Sequence, residues 1–363
     1  MKNNSKHKQL SQIKIKGFKS IEACELKLKA LNVFIGCNGA GKSNFINFFQ
    51  MARQIISENL QTYVSKQGGP DALLSFGRKK TRQIQTEIHF NNYRYCFSLE
   101  PTLDNRMMFT DESFWNTSCT KYFRKGHFES NVLEKARTKA DISILSEIKK
   151  WCGHHFHDTS DTSPIKQLNR INDNMYLRSD ARNLAAYLYF LETKYKMHYQ
   201  RIVKTVRLVA PFFKDFHLRP SAQNEDFIEL EWFENGDDIP FKAHRLSDGT
   251  LRFICLATIF LSPEEIQPET IFVDEPELGL HPFAIVLLAS LIHSVSKTKQ
   301  VIVSTQSVDL LNEFDPQNVI VIDRKDNQST FTHLCEQELS MWLEDYSLGE
   351  LWQKNILGGR PAR

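Results

Sequence analysis

Three short stretches carry residue types suited to phosphate chemistry. Residues 36–43, GCNGAGKS, fit the spacing G-x-x-x-x-G-K-[ST], after an apolar run and before an amphipathic one. Gly36, Gly39 and Gly41 allow a curl whose N–H groups face phosphate oxygens. Lys42 has the reach to meet β- and γ-phosphates, and Ser43 offers a hydroxyl to Mg2+. Residues 271–282, IFVDEPELGLHP, run from an apolar strand into Asp274 and Glu275. At the C-terminal end of a parallel strand, Asp274 would hold Mg2+, directly or through water. Glu275 would act there as general base on an attacking water. The alternative for this pair is a strand end with two solvated acids. Residues 245–253, RLSDGTLRF, put Ser247 ahead of a helical stripe of Leu251, Ile254, Thr258 and Leu261. Ser247 suits an N-cap, and the N–H groups of a helix start attract anions. Read alone, this stretch is equally well a capped, buried helix that binds nothing.

The surrounding pattern supplies elements to position these residues. Residues 12–36 read as strand, turn and strand, ending in the apolar run Leu31–Ile35. A helix follows, with Phe45, Phe48, Phe49, Ala52 and Ile56 on one face. Gly68-Gly69-Pro70 breaks the chain. Ile84, Thr86, Ile88 and Phe90 alternate, as do Tyr93, Tyr95, Phe97 and Leu99, with Asn91-Asn92 as the hairpin turn between them. Residues 101 to about 210 change character and are expected to be a mostly helical insertion. Its stripes are Val132, Ala136, Ala140, Ile144, Ile148 and Trp151; then Leu184, Leu188 and Leu191; then Tyr199, Ile202, Val203 and Val206. No heptad runs long enough for an extended coiled coil. Ile228, Leu230 and Trp232 alternate before a turn at Asn235-Gly236. Beyond residue 245 helix and strand alternate, with Ile271–Val273 and Val301–Val303 as buried strands and a helix over Pro282–Val295 between them. A last hairpin should pair 319–323 with 329–333. The expected division is 1–100, an N-terminal lobe with antiparallel strands; 101–210, the helical insertion; and 211–363, a C-terminal lobe.

Bulk composition narrows the function classes. Apolar residues make up 41% of the 363 residues, enough for a real core, and 46 Lys and Arg stand against 43 Asp and Glu. So any nucleic-acid surface must be local. The densest basic run, Arg78-Lys79-Lys80 with Arg82, reads as a solvated loop. Seven cysteines without a Cys-x-x-Cys pair argue for a reducing compartment. No run approaches the ~18 apolar residues of a membrane span, and the basic N-terminus lacks an apolar signal core, so a cytoplasmic location is expected.

Taken in order, GCNGAGKS, LSDGT and IFVDEP resemble the ATPase head of the ABC superfamily. The KGFKS stretch and the DGTLRF form favour the branch containing RecF, SMC and OLD-family proteins over transporter ATPases. The resemblance implies an α/β fold: a P-loop ABC-type head, with a mixed sheet and an antiparallel subdomain, carrying the helical insertion. It implies ATP and Mg2+ as cofactors. ATP would be held by Gly36, Asn38, Gly39, Ala40, Gly41, Lys42, Ser43 and Asn44, and Mg2+ by Ser43 and Asp274. In such ATPases the signature grips the γ-phosphate of ATP held by the other subunit, here through Ser247 and Gly249, so a head-to-head homodimer is implied. Gln306 stands where many of these enzymes carry a switch histidine, beside Glu275 in the catalytic set; a neutral amide there implies slow turnover. Gln67, beside Gly68-Gly69, is the candidate for the glutamine that senses Mg2+.

The expected function is an Mg2+-dependent ATPase whose dimerisation gates a partner activity. Only 57 residues follow Gln306, too few for the Toprim nuclease domain of OLD proteins. A nuclease effector would then be a separate chain, in the manner of antiphage defence pairs, with no membrane involved. The alternative is a RecF-like clamp that binds DNA itself. Residues 151–163, WCGHHFHDTSDTS, contain metal-ligand types but match no standard zinc spacing. They read as a polar loop of the insertion, or else as a lid touching nucleotide or partner.

Overall fold

The computed structural model describes residues 9–359 except 117, 118, 124 and 137, so most of the basic N-terminal segment lies outside the described residues. The chain opens with strands β1 (Leu10–Phe18), β2 (Ile21–Lys27) and β3 (Leu31–Ile35). Helices α1 (Lys42–Ile56), α2 (Leu60–Lys66) and α3 (Pro70–Leu73) follow. Next come β4 (Ile84–Phe90), β5 (Tyr93–Pro101), β6 (Met107–Asn116) and β7 (Cys119–Tyr122), then α4 (Val132–Lys135), α5 (Lys139–Lys150) and the short β8 (Gly153–His154). The middle of the chain holds β9 (Asn169–Arg170), α6 (Leu184–Lys194), α7 (Lys196–Val209), β10 (Phe213–His217), β11 (Phe227–Ile228), β12 (Glu231–Glu234), β13 (Phe241–Lys242) and α8 (Asp248–Leu261). The last part is β14 (Thr270–Asp274), α9 (Pro282–Ser296), β15 (Gln300–Thr305), α10 (Val308–Asn312), β16 (Val319–Lys325), β17 (Gln328–His333), α11 (Glu336–Leu343) and α12 (Leu348–Gln353).

These elements divide into two compact units, Met1–Gly153 with Pro268–Phe272 and Lys299–Arg363, and His154–Gln267 with Val273–Thr298. The first unit contains an antiparallel sheet of order β2-β1-β4-β5-β6-β7. The second large sheet has the order β17-β16-β3-β15-β14-β8, with β16, β3 and β15 parallel and the β16–β17 hairpin antiparallel. The fold is therefore the expected mixed α/β one with an antiparallel subdomain. All five residues of β3 are buried, and α1 packs its apolar face into the core of this unit. Phe45 meets Phe34, with ring centroids 4.6 Å apart, and Phe49 meets Phe272 at 4.4 Å and Trp151 at 5.2 Å. A fully buried ring of this kind is worth about 3–5 kcal/mol. The core thus anchors α1, the helix that the phosphate loop opens. In the second unit α7 and α9 pack on the buried face of α8, and β10, β12 and β13 form a small sheet. Among the described residues no helix is long and apolar enough to cross a membrane.

The segment 101–210 corrects the expectation of a helical insertion. β6 continues the antiparallel sheet as a ten-residue strand, and β7 adds its edge. Two features hide this strand. A register shift near Ser98 and Leu99 breaks the alternation, and polar residues occupy inward positions. Glu112, fully buried, accepts hydrogen bonds from the Tyr95 hydroxyl at 2.6 Å, Ser130 Oγ at 2.5 Å and the Asn131 N–H at 3.1 Å, with His127 Nε2 at 3.0 Å. Asn116 donates to Asp141 Oδ1 at 3.0 Å. The stripe over 132–151 is also broken, because Thr138 forms a capping box with Asp141 and starts α5 afresh. α6 and α7 are helical as expected.

Burial alone would raise the Asp141 carboxyl, but the Lys121 ammonium at 2.7 Å, the Asn116 amide and the Thr138 cap outweigh it and lower its pKa from 3.8 to about 2. A depressed folded-state pKa gives stability that is present in full above the unfolded value and is lost as pH falls through the folded one. Asp141→Asn should therefore lower the urea midpoint near neutral pH. The deficit against the parent protein should shrink between about pH 4 and about pH 2. Urea titrations across that range check it; a deficit independent of pH would sever the link.

Candidate functional site

The first cluster of interest lies where β3 ends. Gly36, Ala40, Gly41 and Lys42 are buried, whereas Asn38, Gly39 and Ser43 are exposed, so the loop has a packed side and an open side. The packed side engages the loop carbonyls. Lys42 Nζ donates to Gly36 O at 2.6 Å and Cys37 O at 3.2 Å, Arg324 Nη1 to Gly39 O at 3.1 Å, and Ser329 Oγ to Ala40 O at 2.6 Å. Ser329 and Ser20 share a hydrogen bond of 2.7 Å, and Asn44 Nδ2 donates to Ser20 Oγ at 2.8 Å. The Cys37 N–H donates to Gly359 O at 2.8 Å. Gly41 has φ 118°, and a side chain there would collide with Ser329 Oγ, so only glycine closes this turn. α1 then starts with no side-chain cap and no acid in its first turn.

Two further residues of the same unit bear on this loop. β3 and β15 are paired with Thr305 opposite Ile35, so Gln306 and Gly36 leave the sheet side by side. Gln67 closes α2 and accepts from Lys19 Nζ at 3.0 Å. Burial lowers the pKa of that lysine.

The second cluster lies in the other unit. Ser247 caps α8: its Oγ accepts from the Thr250 N–H at 3.2 Å and shares a 2.8 Å hydrogen bond with Thr250 Oγ1. Ser247 itself is exposed. Gly249 lies so close to Gly279 that any Cβ would strike the Gly279 carbonyl, which seats the start of α8 on the loop after Glu275. Glu275 has φ 47°, a left-handed conformation that is uncommon for a non-glycine residue. Arg252, one turn into α8, ties two loops together. It donates to Leu278 O at 3.1 Å, Phe156 O at 2.9 Å, His157 O at 3.0 Å and Thr159 Oγ1 at 3.2 Å. His157 Nε2 stands 4.0 Å from Glu275 Oε2.

The structure thus gathers Gly36, Asn38, Gly39, Ala40, Gly41, Lys42, Ser43, Asn44 and Gln306 in one unit, and Ser247, Gly249, Asp274 and Glu275 in the other. Sequence reasoning missed Arg324, Ser329 and Gly359 behind the phosphate loop, which come from remote parts of the chain with no local pattern to mark them; Ser20 was in view within KGFKS, but nothing in that run announced a contact with the loop. Arg252 was in view within DGTLRF, but nothing in that run announces a clamp. Among the described residues no group of three or more His, Cys, Asp or Glu residues could hold a metal ion, the 151–163 stretch included. Asp158 of that stretch accepts from Ser160 Oγ and the Ser160 N–H, and these hydrogen bonds lower its pKa.

The phosphate-loop residues fit a nucleotide. A long helix starts without a side-chain cap or a first-turn acid, with the Lys42 ammonium beside it, which is an electrostatic setting for phosphates. The Ser43 hydroxyl and the Asp274 carboxylate are hard oxygen donors of the type Mg2+ prefers.

Solved structures share this fold. The head domain of SMC bound to the C-terminal winged-helix domain of ScpA matches with a TM-score of 0.60 at 16% identity, over 92% of this chain and 99% of that one. An SMC head with an extended coiled coil, bound to the C-terminal domain of ScpA derived from Pyrococcus furiosus, matches with a TM-score of 0.57 at 15% identity, over 93% of this chain and 98% of that one. No curated protein sequence matches. Residues 31–312 match the family described as "AAA domain, putative AbiEii toxin, Type IV TA system"; the chain belongs to that family, and it shares its fold with SMC heads.

Proposed function

We propose that this protein binds and slowly hydrolyses MgATP in a head-to-head homodimer and that the ATP-bound dimer gates a separately encoded effector. The observation that carries the nucleotide part is the start of α1: a helix N-terminus with Lys42 in its first turn, without acid or side-chain cap, behind the exposed Asn38, Gly39 and Ser43. Residues Gly36–Asn44 cradle the phosphates. Ser43 and Asp274 would hold Mg2+, which would supply charge neutralisation at the phosphates. Glu275 takes the proton of the attacking water. Gln306 offers an amide hydrogen bond but no charge, which keeps turnover slow. Ser247 and Gly249 grip the γ-phosphate held by the partner copy. The exposed, capped start of α8 supports this role, since a hydroxyl and a helix N-terminus form a good anion cap.

The gating part rests on kinship. An SMC head of this fold is bound to a separate protein, ScpA. The family description names a putative AbiEii toxin of a Type IV toxin–antitoxin system; the effector in this proposal is a nuclease in antiphage defence.

Three experiments test the nucleotide reading. Hydrogen bonds to charged groups are worth about 1.5–3 kcal/mol, so Lys42→Ala should weaken ATP binding about 10- to 100-fold. Glu275→Gln should keep the affinity while hydrolysis falls by about 10²–10⁴. Equal losses of affinity in the two variants would remove the division of labour. Cys37, partly exposed in the loop, should react with a thiol reagent, and MgATP should protect it; peptide mapping separates it from the exposed Cys335. Labelling of Cys37 that ignores ATP would move the nucleotide elsewhere.

The third experiment concerns the shared site. Ser247→Asp keeps a good N-cap yet places a negative charge where phosphate must sit. It is preferable to any substitution of Gly249, whose Cβ would strike a backbone carbonyl. Homodimers of Ser247→Asp or of Lys42→Ala have two spoiled sites, but a mixed dimer has one intact site. Random exchange makes about half the dimers mixed, so roughly a quarter of full activity should return on mixing. With Glu275→Gln in both chains, ATP should also drive mixed dimers seen by sedimentation. Neither activity nor mixed dimers on mixing would reject the shared site.

A further inference from the structure

Residues 154–160, HHFHDTS, have no role in the reading above, yet they meet the strand end that carries Glu275. The meeting is built. Three of the four hydrogen bonds of the Arg252 guanidinium go to this loop, at Phe156 O, His157 O and Thr159 Oγ1, while the fourth, to Leu278 O, holds the turn after Glu275. Phe156 is buried beneath the loop, and the His155 N–H donates to Ser179 O at 3.1 Å. The neighbouring Asp158 turns back onto Ser160, at 2.7 Å from its Oγ. What remains directed at Glu275 is the His157 ring, with Nε2 4.0 Å from Oε2. The Glu275 side chain is 17% exposed and that of His157 43% exposed.

A carboxylate that takes a proton from water must present one oxygen to that water. On a flexible side chain this orientation is not automatic, and the left-handed backbone of Glu275 shows that the site already holds this residue in a costly conformation. An imidazole N–H brought to the other oxygen fixes it. The present separation is longer than a hydrogen bond, but such contacts commonly tighten from the free to the substrate-bound state. The geometry points to His157 as a positioning residue for Glu275, carried on a loop that Arg252 pins to the signature helix. This assignment rests on Glu275 being the general base. His157 touches neither nucleotide nor the reacting atoms; it acts through the carboxylate.

The test compares His157→Ala and His157→Gln in the full-length protein, with Glu275→Gln as reference, measuring kcat, KM and the affinity for ATP. A misplaced base costs about 10- to 100-fold, so His157→Ala should lower kcat by that factor while KM and ATP affinity change less than about twofold. His157→Gln, whose amide N–H reaches close to the Nε2 position, should recover most of the loss. An unchanged kcat in His157→Ala, with Glu275→Gln inactive, overturns the positioning role and leaves the ATPase reading intact. A fall in ATP affinity and thermal midpoint that His157→Gln does not repair also overturns it, because the loop would then be only structural. If Glu275→Gln hydrolyses ATP like the parent protein, the base assignment fails, and the role of His157 fails with it.

Discussion

The phosphate loop depends on where its carbonyl oxygens go. A curled backbone exposes both N–H and C=O groups, and an oxygen facing a phosphate would repel it. In this protein the carbonyls of Gly36, Cys37, Gly39 and Ala40 are each bound from within by Lys42, Arg324 or Ser329. Ser329 fits because Gly41 has no side chain, and Ser20 completes the seam by joining Ser329 to Asn44. The β16–β17 hairpin therefore shapes this loop as much as its glycines do. It brings Arg324 and Ser329 to the loop because β16 runs parallel to β3, with Val321 opposite Ile35.

The other unit has a corresponding centre in Arg252. One guanidinium satisfies carbonyls on two separate loops, and its planar, multidentate form makes it better suited to this than a lysine. The start of α8, the turn after Glu275 and the loop bearing His157 are thereby mechanically joined. Gly249 adds to this by letting the first turn of α8 rest on Gly279. The capped start of α8 and the turn that carries Glu275 thus share one support.

Much of the architecture was legible along the chain. GCNGAGKS, LSDGT and IFVDEP are local backbone devices: a turn, a cap and a strand end, each specified by residues next to one another. The hairpin of β4 and β5 has Phe90 opposite Tyr93, as Asn91-Asn92 suggested, and the hairpin of β16 and β17 pairs Asp323 with Thr330 within the expected spans. α9 and the cap at Ser247 were likewise written in periodicity and one hydroxyl.

Tertiary structure decided the rest, for physical reasons. β6 was hidden because Glu112 and Asn116 face inward. They are tolerable there only because Tyr95, Ser130, His127 and Asp141, from other parts of the chain, satisfy them. The supports of the phosphate loop are similar, since Ser329 and Gly359 lie some three hundred residues from it and pair with it only through the sheet. His157 looked like one member of a polar, metal-like run until Arg252 placed its loop against Glu275. The sequence by itself determined the local turn, cap and strand end of each motif, because these reside in neighbouring residues. Only the tertiary structure decided what holds each motif in shape, because a buried polar group finds its partner by packing and not by order along the chain.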